Sequence, residues 1–167
     1  MEKTFSQRLD ECVDLADIFE LVKAAGEEVL GRSRAGLMLG LANMGGSRRF
    51  FLGAYYPVDS NMIVVNSFPL KMIKEKNPVL FKPYIFHILL HEYLHSLNYL
   101  DEGSVRELTY IICSKLFGKE HLTAKMSKDI SKFMPQLADE AVEWVPEKEP
   151  QIFVVEGFDK GHLTYVS

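Results

Sequence analysis

The sequence has few features that would place it outside the ordinary globular proteins. It contains two cysteines and one tryptophan in 167 residues, and no apolar run near the roughly 18 residues that a membrane-spanning helix needs. Basic residues are not in excess, because 19 Lys and Arg stand against 23 Asp and Glu, giving a formal net charge of −4. The low cysteine content excludes a disulfide scaffold, and the acidic balance disfavours general binding to nucleic acids. We therefore expect no nucleic-acid partner and no membrane attachment.

The remaining composition is that of one soluble domain. Apolar residues make up 47% of the chain and charged residues 25%, which is enough for one hydrophobic core at this length. Cys12 and Cys113 are far apart in the sequence, so we expect buried thiols and no sulfur metal site. The first ten residues lack the apolar segment of a secretion signal. These observations predict a single domain over residues 1–167, located in the cytoplasm.

Hydrophobic periodicity predicts an α+β fold. Residues 6–30 follow helical spacing and Gly31 is the expected stop. Three strand-like segments come next: 36–42, 49–55 and 61–66. The Gly-containing turn at 43–47 predicts a hairpin between the first two. Three helices are then predicted: 83–100, 104–117 and 122–141. A terminal hairpin is expected within 151–166, so a small mixed or antiparallel sheet of about three to five strands should pack on the N-terminal helix and on the helix that begins at residue 83.

The segment that carries chemistry is His91-Glu92-Tyr-Leu-His95. Four residues rotate an α-helix by about 400°, so the two histidines lie on one face, about 6 Å apart along the axis. Two imidazoles at that spacing can bind one tetrahedral ion, and zinc is the metal that this chemistry prefers. Glu92 lies beside such an ion and can take a proton from a water that the metal has acidified. The alternative is a chance match, in which both histidines are hydrogen-bonded core residues.

This segment resembles the active-site helix of the zincin metallopeptidases, in a minimal form. The resemblance covers about residues 36–117, and only the five-residue motif is strongly specific. It implies zinc-dependent hydrolysis of peptide bonds, with His91 and His95 as metal ligands and Glu92 as the general base. In the zincins a peptide substrate lies along an edge strand, and Asn61–Asn66 resembles that strand. A peptide or protein substrate along Asn61–Asn66 is therefore the expected partner.

Two residues compete for the third metal ligand. Metzincins continue the motif as His-Glu-x-x-His-x-x-Gly-x-x-His/Asp, and Asp101 stands at that last position. Asn98 replaces the glycine, and Asn tolerates a left-handed backbone well. If the helix ends near Leu97, Asp101 can reach the metal, which is the preferred reading. If the helix continues through Leu100, Asp101 points away from the histidines. Glu107 is then the candidate, because gluzincins take a glutamate from a following helix.

Two other functions fit the same motif. The first is a regulatory or interaction protein of zincin fold with weak or no peptidase activity. The second is a metal-dependent endoribonuclease, because the spacing is similar to that of the bacterial rRNA-maturation enzymes. Those enzymes show His-Gly-x-x-His-x-x-Gly-Tyr-Asp-His, which Tyr99 matches and Glu92 does not. The weaker site candidates are a histidine one turn before the motif, a histidine near the end of the chain, and tyrosines that can donate to an oxyanion: His87, His162, Tyr55, Tyr56 and Tyr165.

Overall fold

The computed structural model describes residues 2–46, 52–133 and 150–155. This part of the chain forms six helices and a four-stranded mixed sheet that does not close, which confirms the predicted α+β class. The helices are α1 (Phe5–Glu11), α2 (Leu15–Leu30), α3 (Phe68–Lys76), α4 (Pro78–Ser96), α5 (Glu102–Phe117) and α6 (Leu122–Lys128). The strands are β1 (Met38–Ala42), β2 (Ala54–Tyr55), β3 (Met62–Asn66) and β4 (Phe153–Val154), and a 3-10 turn (Ile130–Phe133) follows α6.

The sheet has the strand order β2-β3-β1-β4. Strands β1 and β3 are parallel, whereas β2 pairs antiparallel with β3, and β4 pairs antiparallel with β1. The predicted hairpin between 36–42 and 49–55 is therefore wrong for the residues described, since Ala54–Tyr55 pairs with β3. The prediction that Asn61–Asn66 is an edge strand is also wrong, because β3 has a partner on both sides. The strands at the two edges of the sheet are β2, next to β3, and β4, next to β1.

The N-terminal helical segment is broken in the middle. One helix was expected over 6–30, but α1 ends at Glu11 and α2 begins at Leu15. The break occurs because Asp14 has an extended backbone and its side chain accepts a hydrogen bond from the N–H of Asp17, so it caps a new helix. Gly31 ends α2, as predicted, and it has the left-handed backbone conformation common at helix ends.

The core lies between the sheet and a pair of packed helices, α2 and α4. Phe19 and Tyr93 meet edge to face across this pair, with ring centroids 5.5 Å apart. Both free cysteines, Cys12 and Cys113, are buried, as predicted. This packing buries one side of α4 and fixes which side of the helix faces outward.

Helix α4 starts and stops earlier than expected. It runs from Pro78 to Ser96, against a predicted 83–100, because Pro78 is well suited to the first helical turn. Beyond the helix, Asn98 has a φ of 75°, the left-handed conformation that its residue type predicted. Asp101 then caps α5, which begins at Glu102, two residues before the predicted start at residue 104. The chain therefore reverses within a few residues of His95.

The C-terminal predictions are only partly covered by the described residues. A helix was predicted over 122–141. It begins at Leu122 as expected, but α6 ends at Lys128 and a 3-10 turn follows as far as Phe133. Residues 134–149 lie outside the described part of the chain, as do 156–167, which include the return strand of the predicted hairpin. Within the described ranges, no helix combines the length and the apolar character needed to cross a membrane.

Candidate metal centre

Helix α4 carries both histidines of the motif on one face. The ring centroids of His91 and His95 are 5.0 Å apart, and the rings are inclined at 69°. Their side chains are 16% and 14% exposed, so both rings are largely shielded but still open to solvent on one side. The neighbouring Tyr93 and Leu94 point into the core and are fully buried. The helical spacing therefore separates the ligand face from the core face, as the motif predicted.

A carboxylate from the next helix closes the site. Oε1 of Glu102, the first residue of α5, lies 3.0 Å from Nε2 of His91 and 2.6 Å from Nε2 of His95. Two nitrogens and one oxygen thus converge on a small volume, from two helices that the turn at Asn98 places side by side. Sequence reasoning missed Glu102, because it predicted that this helix begins at residue 104; the available signal was that Glu102 adjoins the candidate Asp101.

The hydrogen bonds of His95 indicate that a proton or a cation lies between its Nε2 and Oε1 of Glu102. Nδ1 of His95 lies 2.8 Å from the carbonyl oxygen of Tyr99, which can only accept, so Nδ1 carries the hydrogen. Nε2 of a neutral ring then presents a lone pair towards the carboxylate oxygen of Glu102. Two lone pairs repel at 2.6 Å, so a proton or a cation must lie between these atoms. The donor set fits a divalent cation such as zinc, and the hydrogen bond to the carbonyl oxygen of Tyr99 fixes the orientation of the His95 ring.

The charges in the centre are coupled. Burial lowers the pKa of His91, and the hydrogen bond and charge of Glu102 only partly oppose this effect. Burial works against ionisation of Glu102, but its interactions with the rings of His91 and His95 outweigh it, so the pKa of Glu102 is lowered. Glu102 is therefore a carboxylate, and His91 favours its neutral form. Both are the protonation states that a metal requires of its ligands.

Glu92 lies beside this cluster. One ligand atom from each of His91, Glu92 and His95 lies within 4.8 Å of the others. Burial, followed by the charge of Glu102, raises the pKa of Glu92 to about 8. The backbone N–H of Tyr56 donates to the Glu92 carboxylate and opposes this shift. Since Tyr56 follows β2, this hydrogen bond ties the carboxylate to the edge of the sheet.

The two residues predicted as alternative third ligands lie elsewhere. Oδ2 of Asp101 accepts hydrogen bonds from the backbone N–H and the hydroxyl of Ser104, at 2.8 and 2.7 Å. These bonds, led by that from the hydroxyl, hold the pKa of Asp101 below its ordinary value. Glu107 is an exposed residue of α5, one turn beyond the start of the helix. The structure brings neither carboxylate to the imidazoles, whereas Glu102 contacts both.

A cavity of about 700 Å³ opens beside His91, Glu92 and Glu102. One wall is the edge of the sheet, residues 52–55, and the opposite wall is α6 with the 3-10 turn. Helix α4 forms the floor, and His91, Glu92 and Glu102 line the cavity directly. Within the described ranges no strand pairs with the outer edge of β2. The ligands and an unpaired strand edge therefore border the same space.

Arg34 joins the end of α4 to the segment that follows β2. Its guanidinium donates to the carbonyl oxygen of Ser96 at 3.0 Å, to the hydroxyl of Tyr56 at 2.8 Å and to the carbonyl oxygen of Ser60 at 2.8 Å. Its backbone N–H donates to the hydroxyl of Tyr93 at 2.8 Å. One side chain thus joins the end of α4 to the turn after β2, which is the turn that reaches Glu92.

The weaker candidates divide between this site and the rest of the chain. Tyr55 lines the cavity, whereas the Tyr56 hydroxyl is engaged by Arg34 and Ser60. His87 also lines the cavity, and its Nδ1 lies 2.9 Å from the hydroxyl of Ser127. His162 and Tyr165 lie outside the described residues.

Comparison of the chain with protein-family models, with curated proteins and with solved structures found no match. The resemblance to the zincins therefore rests on the helix that carries His91, Glu92 and His95.

Proposed function

We propose that this protein is a zinc-dependent peptidase, with the metal held by His91, His95 and Glu102. The observation that carries the proposal is the contact of one Glu102 oxygen with Nε2 of both histidines, at 3.0 and 2.6 Å. Two imidazoles and one carboxylate are a common catalytic zinc set, with one position left for water or substrate. In this proposal Glu102 replaces the expected ligand Asp101.

Zinc at these ligands supplies a Lewis acid that polarises a carbonyl and acidifies water. Glu92 is the residue placed to move the proton. Its carboxylate lies beside the ligands, faces the cavity and is held by the N–H of Tyr56. A cation at the ligands favours the ionised form of Glu92, so it can accept a proton from the attacking water and return it to the leaving amine.

The substrate in this proposal is an extended peptide on the outer edge of β2. That edge borders the cavity, and the ligand face of α4 forms the floor beneath it. An exposed strand edge offers N–H and C=O groups with which a peptide can pair as an added strand. In this proposal the substrate lies on β2 and not on Asn61–Asn66, because β3 is paired with β1 and with β2.

The test compares Glu92→Gln with wild type for zinc content and for cleavage of a peptide library read by mass spectrometry. We expect near-stoichiometric zinc in both proteins and cleavage only by wild type, because the amide cannot accept the proton. Glu28→Gln, the same change at an exposed position of α2, is the matched control and should cleave like wild type. Cleavage retained by Glu92→Gln contradicts the role of Glu92. A wild-type protein that takes up no zinc contradicts the proposal as a whole.

A further inference from the structure

Beyond the metal ligands, the cavity continues into a pocket between α4 and α6. Its walls are largely apolar, formed by the side chains of Tyr84, Ile88, Met126 and Ile130. His87 projects from α4 into this space, one helical turn before His91. We refer to this part of the cavity, lined by these five residues, as the α6 pocket.

The hydrogen bonds around His87 fix which ring nitrogen carries the hydrogen. The hydroxyl of Ser127 has one hydrogen, and it donates to the carbonyl oxygen of Thr123 at 2.7 Å, one turn back in α6. Ser127 must therefore accept from His87, whose Nδ1 lies 2.9 Å from the hydroxyl oxygen. Nδ1 carries the hydrogen, and Nε2 of the neutral ring carries a lone pair.

Nε2 of His87 is left open to the cavity. The residue is only half-buried, and in residues 2–46, 52–133 and 150–155 no hydrogen bond is made to this nitrogen. Nε2 is not fully enclosed either, so part of its surface remains accessible. Burial, and then the neighbouring His91, lower the pKa of His87 to about 3, so the ring stays neutral under ordinary conditions. The α6 pocket therefore presents one hydrogen-bond acceptor within apolar walls.

We propose that the α6 pocket selects the side chain of tyrosine in the substrate peptide, with the phenol hydroxyl donating to Nε2 of His87. This inference rests on the proposed peptidase function and names its substrate class. The apolar walls suit an aromatic ring, and the acceptor suits a neutral donor at the far end of that ring. Phenylalanine fills the same space but leaves Nε2 buried without a partner, a difference typically equivalent to roughly tenfold in binding.

The test uses matched peptides that differ at one position, Tyr, Phe, Lys or Glu, in two measurements. Cleavage by zinc-loaded wild type gives a ratio of kcat/KM values, and binding to zinc-loaded Glu92→Gln by fluorescence anisotropy gives a ratio of Kd values. We expect wild type to prefer the Tyr peptide over the Phe peptide by roughly tenfold. In His87→Phe, which keeps the ring size and removes the acceptor, this preference should fall to about one.

Two further variants separate the acceptor from a general packing effect. Ser127→Ala removes the group that holds the Nδ1 hydrogen, so the ring can move its hydrogen to Nε2 and the tyrosine preference should fall towards one. Ser131→Ala makes the same change at another serine of the cavity, whose hydroxyl donates to Asp129, and should keep the preference.

The outcomes distinguish this inference from the function on which it rests. Equal handling of the Tyr and Phe peptides by wild type, or a preference for the Lys peptide, overturns the inference. A tyrosine preference that survives in His87→Phe also overturns it. If no peptide is cleaved but Glu92→Gln binds the Tyr peptide selectively through His87, the pocket stands and the peptidase function fails.

Discussion

Oε1 of Glu102 lies 2.6 Å from Nε2 of His95, although the two residues belong to different helices. The contact depends on the reversal between α4 and α5, where Asn98 has a φ of 75°. It also depends on α5 beginning at Glu102, which brings this side chain back over the end of α4. Asp101, one residue earlier, instead accepts hydrogen bonds from Ser104 and caps α5.

The first prediction concerns the third metal ligand. Glu102→Gln should lower zinc affinity by at least about tenfold, because a neutral amide is a poor ligand for this ion. Asp101→Asn should keep zinc, since asparagine caps a helix as well as aspartate does. Glu107→Gln should also keep it. The measurement is elemental analysis after dialysis against buffered zinc, with His91→Ala as the variant that loses the metal. Zinc lost in Asp101→Asn and kept in Glu102→Gln would instead assign the ligand to Asp101.

The second prediction is that Glu92 makes a contribution to the stability of the metal-free protein that falls as the pH rises. The pKa of Glu92 is raised from 4.5 to about 8 in the folded state. Well below pH 4.5 both states hold this proton. Between the two pKa values the unfolded chain releases it and the folded chain keeps it, so the contribution of Glu92 to the free energy of unfolding falls until about pH 8. Urea unfolding in EDTA should show that the free energy of unfolding of Glu92→Gln, relative to that of wild type, rises by on the order of 2 to 4 kcal/mol across this range.

The control for this pH effect is Glu28→Gln, whose carboxylate is exposed. Its stability should follow that of wild type at each pH. Zinc should suppress the difference between wild type and Glu92→Gln, because a cation beside Glu92 favours its ionised form. Parallel stability curves for wild type and Glu92→Gln in EDTA would show that the pKa of Glu92 is not raised.

The third prediction concerns the close approach of the edge strand to α4 at Gly53. A Cβ at this position would lie 2.9 Å from the hydroxyl oxygen of Tyr84 and 3.1 Å from Cγ2 of Ile88. Gly53→Ala should therefore push the strand away from the helix and destabilise the fold by about 1 to 3 kcal/mol. Adding Tyr84→Phe removes the nearer obstacle and should recover part of that loss, as measured by a double-mutant cycle of unfolding free energies.

Gly103→Ala is the matched control for this steric effect. A Cβ there meets only Oδ2 of Asp101, at 3.5 Å, which is an ordinary contact. Alanine also has the higher helix propensity, so this variant should be as stable as wild type or more so. If Gly53→Ala is equally well tolerated, the strand and the helix are not as close as the structure places them.

The fourth prediction concerns Arg34. Arg34→Lys replaces a planar group that bonds three oxygens with one ammonium that cannot span them, so the turn after β2 should loosen from the end of α4. We expect a loss of about 1 to 3 kcal/mol in unfolding free energy. Arg8→Lys, at an exposed position of α1, should change stability little. Equal effects of the two substitutions would mean that the Arg34 contacts do not hold the turn.

Interactions between residues close in the sequence were enough to predict part of this site. The spacing of His91 and His95 placed both rings on one face, because helix geometry alone sets that rotation. Asn98 adopts the left-handed conformation that its residue type suggested, and Gly31 ends α2 as predicted. The α+β class and the burial of both cysteines followed from composition and periodicity.

Only the tertiary structure decided what depends on contacts between distant segments. Strand pairing is one case, since the sequence predicted a hairpin and an edge strand at Asn61–Asn66, whereas β3 lies between β1 and β2. The carboxylate at the histidines is another. Asp101 and Glu102 are adjacent, and a one-residue difference in where α5 begins decides which of them turns towards the imidazoles and which caps the helix. Helix capping and helix packing together decide where α5 begins. Local sequence patterns predict capping, but they do not predict how two helices pack.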